Sequence, residues 1–179
     1  MAIKFIKTAI NDFRVGAIAR SSRYVIRRVL GFLGHPVNSV LEYGPGDGAL
    51  TRALLDVLSP EGRLIAIEPN EDFVRMLREI HDPRMDVVYA TAQEAESVIK
   101  ATSNVDVVVS SMPFSLLSRE ERSRFVEDAY RALSSRGRLI VFHQYTTVMV
   151  SLLKKHFAKT RVYFEFRNIF PCLIIVAEK

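Results

Sequence analysis

Four short stretches hold the side chains able to do chemistry. The first, Val40-Leu41-Glu42-Tyr43-Gly44-Pro45-Gly46-Asp47-Gly48-Ala49-Leu50, runs an apolar strand pattern into a glycine-rich turn and then a helix pattern. Glycines let the backbone bend sharply and let a ligand approach where side chains would clash. Gly44, Gly46 and Ala49 also satisfy the G-x-G-x-x-A spacing of a dinucleotide-binding turn, so a nicotinamide cofactor must be weighed. Glu42, two residues before the first glycine, disfavours a pyrophosphate and suits a cationic group. In the second stretch, Ile65-Ala66-Ile67-Glu68-Pro69, Glu68 stands at a strand end where a carboxylate can accept from both hydroxyls of a ribose. The third, Ser110-Ser111-Met112-Pro113-Phe114, has a proline that stiffens it and an aromatic ring that offers a π face to a cation or a base. In the fourth, His143 and Tyr145 follow a strand and can take a proton, while a structural, hydrogen-bonded histidine is the plainer reading of His143. The other three stretches also have plain readings: a tight turn, a solvated strand-end acid and a structural loop.

The elements that must position these residues follow from periodicity. Strand patterns fall at Ser39–Tyr43, Arg63–Ile67, Met85–Tyr89, Val105–Ser110, Gly137–Phe142, Arg161–Phe166 and Leu173–Ala177. Between the first five lie helical spacings at Ala49–Leu58, Asn70–Ile80, Gln93–Ile99 and Arg119–Leu133. Such alternation requires crossover connections and gives a parallel sheet covered by helices on both faces. The last two strands are joined only by Arg167–Cys172, too short for a crossover, so they pair antiparallel. Upstream, Ile3, Ile6, Ile10, Phe13 and Ala17 form one helical stripe, and a second helix capped at Ser21 or Ser22 runs to about Leu33 before Gly34 and Pro36. The organisation expected is a basic helical segment at residues 1–34 and one α/β domain at 35–179.

Glu42-Tyr43-Gly44-Pro45-Gly46-Asp47-Gly48 and Glu68-Pro69-Asn70 resemble the first two motifs of class I S-adenosylmethionine-dependent methyltransferases, over roughly residues 36–179. The terminal antiparallel hairpin also belongs to that family rather than to the usual nicotinamide fold. The resemblance implies a Rossmann-like, seven-stranded, mostly parallel sheet in the order 3-2-1-4-5-7-6, with the last strand reversed. It further implies that Gly44, Gly46 and Gly48 line the methionine moiety of S-adenosylmethionine, with Glu42, Tyr43, Glu68, Pro69 and Ser110 also at the cofactor. Where the family often has an acid at the adenine amine, Ala90-Thr91-Ala92-Gln93 stands here, leaving that contact to Gln93 or to a backbone amide near Ala92.

Ser110-Ser111-Met112-Pro113-Phe114 resembles the Asn-x-Pro-Phe/Tyr motif of enzymes that methylate amino nitrogens, with Ser in place of Asn or Asp. Loss of the amide argues against an aromatic exocyclic amine such as that of adenine. Val15–Arg23, the same loop, and Asn168-Ile169-Phe170-Pro171 resemble bacterial phospholipid N-methyltransferases, and more distantly the rRNA adenine dimethyltransferases. Phe170 and Cys172 depart from the small, proline-rich hairpin turn of the lipid enzymes, and Arg20 stands where proline is common. This resemblance implies a lipid amine such as phosphatidylethanolamine as acceptor, with Ser111, Pro113, Phe114, His143, Tyr145 and Tyr24 on the substrate side. In that scheme Tyr24, Phe114 and Tyr145 hold the methylated ammonium on their ring faces. An RNA adenine methyltransferase and a non-catalytic nucleotide-binding or membrane-adaptor module are the alternatives.

Composition bounds the rest. A chain of 179 residues, 49% hydrophobic, suffices for one core. The single cysteine, Cys172, excludes an intrachain disulfide and reads as a buried apolar thiol, and His35, His81 and His156 lack metal-ligand spacing, so no metal is expected. No apolar run approaches the roughly eighteen residues of a membrane span, and Lys4 and Lys7 interrupt any signal-like stretch, so a cytoplasmic location is expected. The net charge of +5 is uneven: residues 1–30 carry seven basic side chains against Asp12 alone, leaving eighteen basic and nineteen acidic side chains for residues 31–179. A basic arm on a near-neutral body suits one edge meeting an anionic surface, either a membrane or, less well, nucleic acid. The alternatives for the arm are a lid over the cofactor and a solvated helix packed on the body.

Overall fold

Apolar runs such as Val105–Ser110 and Cys172–Glu178 are too uniformly hydrophobic to face water on either side, and each is buried in the middle of one sheet. The computed structural model describes residues 22–34, 36–95, 97–98, 102–144, 147–167 and 171–179. In chain order these form α1 (Arg23–Leu30), β1 (Val37–Tyr43), α2 (Ala49–Val57), β2 (Leu58–Glu68), α3 (Glu71–Arg78), β3 (Met85–Tyr89) and β4 (Val105–Ser110). After a 3-10 turn at Phe114–Leu116 come α4 (Arg119–Ala132), β5 (Leu133–Gln144), α5 (Val150–His156), β6 (Lys159–Glu165) and β7 (Cys172–Glu178). The sheet order is β3-β2-β1-β4-β5-β7-β6, the order implied by the resemblance. β1 to β5 pair parallel, and β7 runs antiparallel to both β5 and β6.

The two sheet faces carry separate cores. Tyr43, Val108, Val141 and Ile175 meet Phe125 of α4, Leu153 of α5 and Phe114 on one face. Val40, Val107, Ile140 and Ile174 meet Val25 and Val29 of α1 and Leu54 of α2 on the other. The starts of α1, α3 and α4 are set by side-chain caps. Ser22 accepts from the Val25 N–H, Asn70 accepts from Asp72 and Phe73, and Ser118 and Glu121 close a reciprocal capping box on α4.

Several expectations need correction. The second upstream helix stops at Leu30 because Gly31, not Gly34, takes its C-cap and donates to Arg27 O. Val25, Val29 and Leu33 are buried, so the packed body begins before residue 35. Phe166 lies in the turn beyond β6, and α5 has no counterpart among the expected helices. Around Gln93–Ile99, residues 92–95 form a turn and residues 97–98 are helical, with neighbouring residues outside the described set. The stripe from Ile3 to Ala17 lies outside the described residues too.

β2 and β5 start earlier than their apolar runs, directly from the preceding helices. Each opens with the same pattern, Leu58-Ser59-Pro60-Glu61-Gly62-Arg63-Leu64 and Leu133-Ser134-Ser135-Arg136-Gly137-Arg138-Leu139. A side chain at Gly62 would come within 2.6 Å of Leu58 Cγ, and one at Gly137 within 2.8 Å of Leu133 Cδ2 and 2.9 Å of Val105 O. In both turns glycine is required because the leucine folds back beneath it.

Candidate active site

β1, β2 and β4 end level with one another, with Tyr43 paired to Ile67 on one side and Ser110 on the other. The glycine turn therefore opens at the carboxyl edge of the sheet, where open α/β sheets bind their ligands. Gly44, Gly46 and Gly48 all have left-handed backbone, with φ of 70°, 58° and 76°. They differ in what surrounds them. A Cβ at Gly46 would meet nothing within 4 Å, so this is the open part of the cradle. Gly48 is instead hemmed in by Arg52 Nη1, Leu77 Cδ2 and Ile80 Cδ1, each at 3.1 Å, and its lack of a side chain serves packing between α2 and α3.

Two carboxylates line this edge on one face. Glu42 pairs with Ala66 in the register of β1 and β2, so Glu68, two residues further on, projects on the same face. Glu42 is 2% exposed, and its Oε2 meets no hydrogen-bond donor among the described residues. Burial pushes its carboxyl up to about 8; the Thr51 hydroxyl beside it, short of a completed hydrogen bond, pulls the other way, and the Glu68 charge adds to the rise. Glu68, 3% exposed, accepts from Gly46 N at 3.0 Å and from Asn70 N at 2.9 Å, so it also ties the glycine turn to the start of α3. Burial raises its carboxyl as well, opposed by the Asn70 and Gly46 amides. An acceptor with no donor among the described residues, beside an open glycine cradle, suits a cationic amine. Pro69 follows Glu68 at half-buried depth.

The other expected residues sort differently. The Tyr43 side chain turns away from the edge into the core, edge-on to Phe125 at 5.1 Å, with its hydroxyl lacking a hydrogen-bond partner among the described residues. This leaves only its backbone at the glycine turn. Its ring lines a cleft of about 10 Å³ together with Ala92, Gln93, Met112 and Asp128, so the adenine-side residues named from sequence do come together there. Gln93 Nε2 donates to Glu121 Oε1 at 3.1 Å, a tie to the α4 cap that the sequence did not reveal. Ser110 is fully buried and its hydroxyl accepts from Met112 N at 3.4 Å. Ser111 donates from Oγ to Gly44 O at 2.6 Å, which binds the two loops together, and Pro113 is exposed beside it.

One ring assignment is corrected. Phe114 is fully buried against Phe125 at 5.0 Å and His143 at 6.0 Å, so it builds the core under the site and presents no open π face. The Tyr24 ring has two guanidinium groups over it, Arg23 at 5.0 Å and Arg167 at 4.8 Å from its centroid. His143 is buried near the end of β5, on the same face as Phe114. Tyr145 lies outside the described residues. Cys172 is buried, as expected; burial pushes its thiol up to about 12, and its Sγ–H points to His143 O at 3.6 Å.

Residues 40–137, from mid-β1 into β5, match the family described as a methyltransferase domain. The chain belongs to that family. This methyltransferase uses S-adenosylmethionine as its cofactor, and the nicotinamide alternative falls away. It is 26% identical over 136 residues to an ornithine lipid N-methyltransferase of Singulisphaera acidiphila, covering 74% of this chain and 71% of that one. It is 35% identical over 79 residues to ribosomal RNA small subunit methyltransferase A of Phenylobacterium zucineum, covering 43% of this chain but only 27% of that one. Among solved structures, precorrin-6y C5,15-methyltransferase of Geobacter metallireducens superposes with a TM-score of 0.72 at 19% identity, over 90% of both chains, a likeness of fold alone. Among the described residues, no helix of the methyltransferase is long and apolar enough to cross a membrane.

Proposed function

We propose that this methyltransferase acts on the head-group amine of a phospholipid such as phosphatidylethanolamine, presented at a membrane surface. The observation that carries the reading is the loop after β4. Ser110 and Ser111 are both turned to backbone groups, so no side-chain amide is offered to align a flat exocyclic amine. A tetrahedral alkylamine needs no such carbonyl. The similarity to an ornithine lipid N-methyltransferase supports the same class of acceptor.

When bound, the cofactor supplies an electrophilic methyl group on a sulfonium. This chain's residues hold and align. Glu42 receives the cofactor's ammonium, the Gly44–Gly46 backbone accommodates the methionine end, and Glu68 with Pro69 receives the ribose. Ala92 and Gln93 flank the adenine. Ser111 keeps the substrate loop in register with the glycine turn, which would align the acceptor nitrogen with the cofactor's methyl group. The acceptor ammonium must lose a proton first, and His143, through a water, accepts it. The basic segment at residues 1–30 supplies attraction to anionic lipid, which places the enzyme peripherally on the inner face of the membrane.

Incubation with labelled S-adenosylmethionine and separate pools of phospholipid, RNA and small amines tests the assignment. Label in the lipid extract is the expected result. Label in RNA alone would replace this reading with the second one, an RNA adenine methyltransferase, which the similarity to the ribosomal RNA enzyme favours over residues shared with it.

A further inference from the structure

Beyond the cofactor cradle, the most distinctive surface is the β6 edge of the sheet. His143, Leu173 and Phe164 stand opposite one another across β5, β7 and β6, so all three project on one face at the carboxyl edge. From Leu173 outward this face becomes a groove of about 440 Å³ between α5 and β6, walled by Val150, Val162, Leu173 and Phe164, with Ser151 and Lys154 along its helical side. That volume lies within the roughly 300–1,000 Å³ typical of small-molecule sites. At its mouth Phe164 and Phe166, 52% and 72% exposed, stack at 5.9 Å.

Cations flank this apolar lip on both sides. Lys154 stands on the groove wall. Across the sheet edge, the Arg167 guanidinium bonds Glu165 through Nε and Nη2, both at 2.8 Å, and lies over Tyr24 beside Arg23, while Arg28 approaches the same carboxylate at 3.7 Å. Two arginines thus share one acid and a third, Arg23, stands on the same tyrosine, leaving the lip in a positive field. An apolar trough with an aromatic mouth and surplus positive charge complements a ligand that has a hydrocarbon tail and an anionic group.

Resting on the lipid-amine reading above, we propose that the α5–β6 groove holds one acyl chain of the acceptor, with Lys154 meeting the anionic group between chain and amine. The spacing fits. His143 and Phe164 are two strand spacings apart, about 10 Å, which leaves room for a head group to span from the proton acceptor to the start of the chain.

The test compares lysophosphatidylethanolamine, below its micelle concentration, with phosphoethanolamine, which has the same head group and no chain. Calorimetry is done in the presence of S-adenosylhomocysteine, with methyl transfer measured in parallel. The lysolipid should bind at least about tenfold more tightly, the effect of roughly two methylenes leaving water. Ser151→Trp, at an exposed helix position, should fill the groove and remove that advantage while leaving S-adenosylhomocysteine affinity unchanged. Lys154→Glu, at an exposed position, should also weaken the lysolipid and decides the matter if the tryptophan variant fails to fold. Equal affinity for the two probes, or a lysolipid affinity unmoved by either variant, overturns the groove assignment. A groove-dependent lysolipid affinity without methyl transfer would instead uphold the groove and defeat the lipid-amine reading.

Discussion

Replacing Glu42 with Gln perturbs the site where burial and charge are most in conflict. Its carboxyl is raised to about 8 from an ordinary value of 4.5, first by burial. The folded state therefore binds this proton more tightly than the unfolded state does. The protonated acid costs folding nothing below the unfolded value. As pH rises from about 4.5 toward 8, stability falls, and the loss approaches roughly 5 kcal/mol at about 1.4 kcal/mol per pH unit. A neutral glutamine keeps the shape and removes that slope, so the ligand-free variant should melt at a higher temperature than the parent above about pH 8 and at a similar temperature near pH 5.

Cofactor binding should show the opposite preference. A cationic ammonium requires ionised Glu42, and near pH 7 about a tenth of the free enzyme has it, so apparent affinity should rise by up to about tenfold per pH unit below pH 8. The glutamine variant should bind more weakly by roughly 1.5–3 kcal/mol at pH 8, the worth of a hydrogen bond to a charged group, and lose the pH dependence. Calorimetric titration with S-adenosylhomocysteine in buffers of different ionisation heat reads both affinity and proton release, and thermal melting reads stability. An affinity that is flat with pH, with no proton released by the parent protein, would refute the assignment of Glu42 to the ammonium.

Glu68→Ala removes the acceptor of the Gly46 and Asn70 amides and should weaken S-adenosylhomocysteine binding by roughly 1.5–3 kcal/mol with the circular dichroism spectrum retained, whereas unchanged affinity would remove Glu68 from the site. Gly46→Ala should reduce cofactor affinity with a modest cost of about 1 kcal/mol for a left-handed alanine, while Gly48→Ala should chiefly lower the melting temperature, because its new methyl group meets Leu77 and Ile80 at 3.1 Å. Binding to anionic vesicles in a sedimentation assay should fall as salt rises and when Lys4, Lys7 and Arg14 become Gln, with neutral vesicles bound far less; indifference to anionic vesicles at low salt would remove the membrane from the proposal.

The glycine turn, the paired acids and the strand order were legible because each rests on a local rule: residues that tolerate left-handed backbone, an acid at a strand end, and a connection too short to cross over. Side-chain direction at strand ends was less legible. Tyr43 follows Glu42 immediately, and strand alternation sends one to each face, so only one of them can face the cradle. Phe114 sits in a 3-10 turn whose heading is set by packing against Phe125, which no local spacing records. The helix α5 has seven residues, a β-branched start at Val150 and an N-cap, Met149, that makes no side-chain hydrogen bond, so it lacks both length and cap as signals. The groove depends on that helix and was invisible for the same reason.

The paired turns at Gly62 and Gly137 change how a saturation mutagenesis map of this protein should be interpreted. Both sit where β2 and β5 begin, at the opposite end of the strands from Gly44 and Gly46, and both exclude even a methyl group by contact with a neighbouring leucine. A survey scored on function alone would therefore show two intolerant patches, one at each end of the sheet, and would suggest a second site where there is only a tight fold-back. Dividing each activity score by the amount of intact protein should separate them: the Gly62 and Gly137 defects should vanish as losses of abundance, and those at Gly46 and Glu42 should remain.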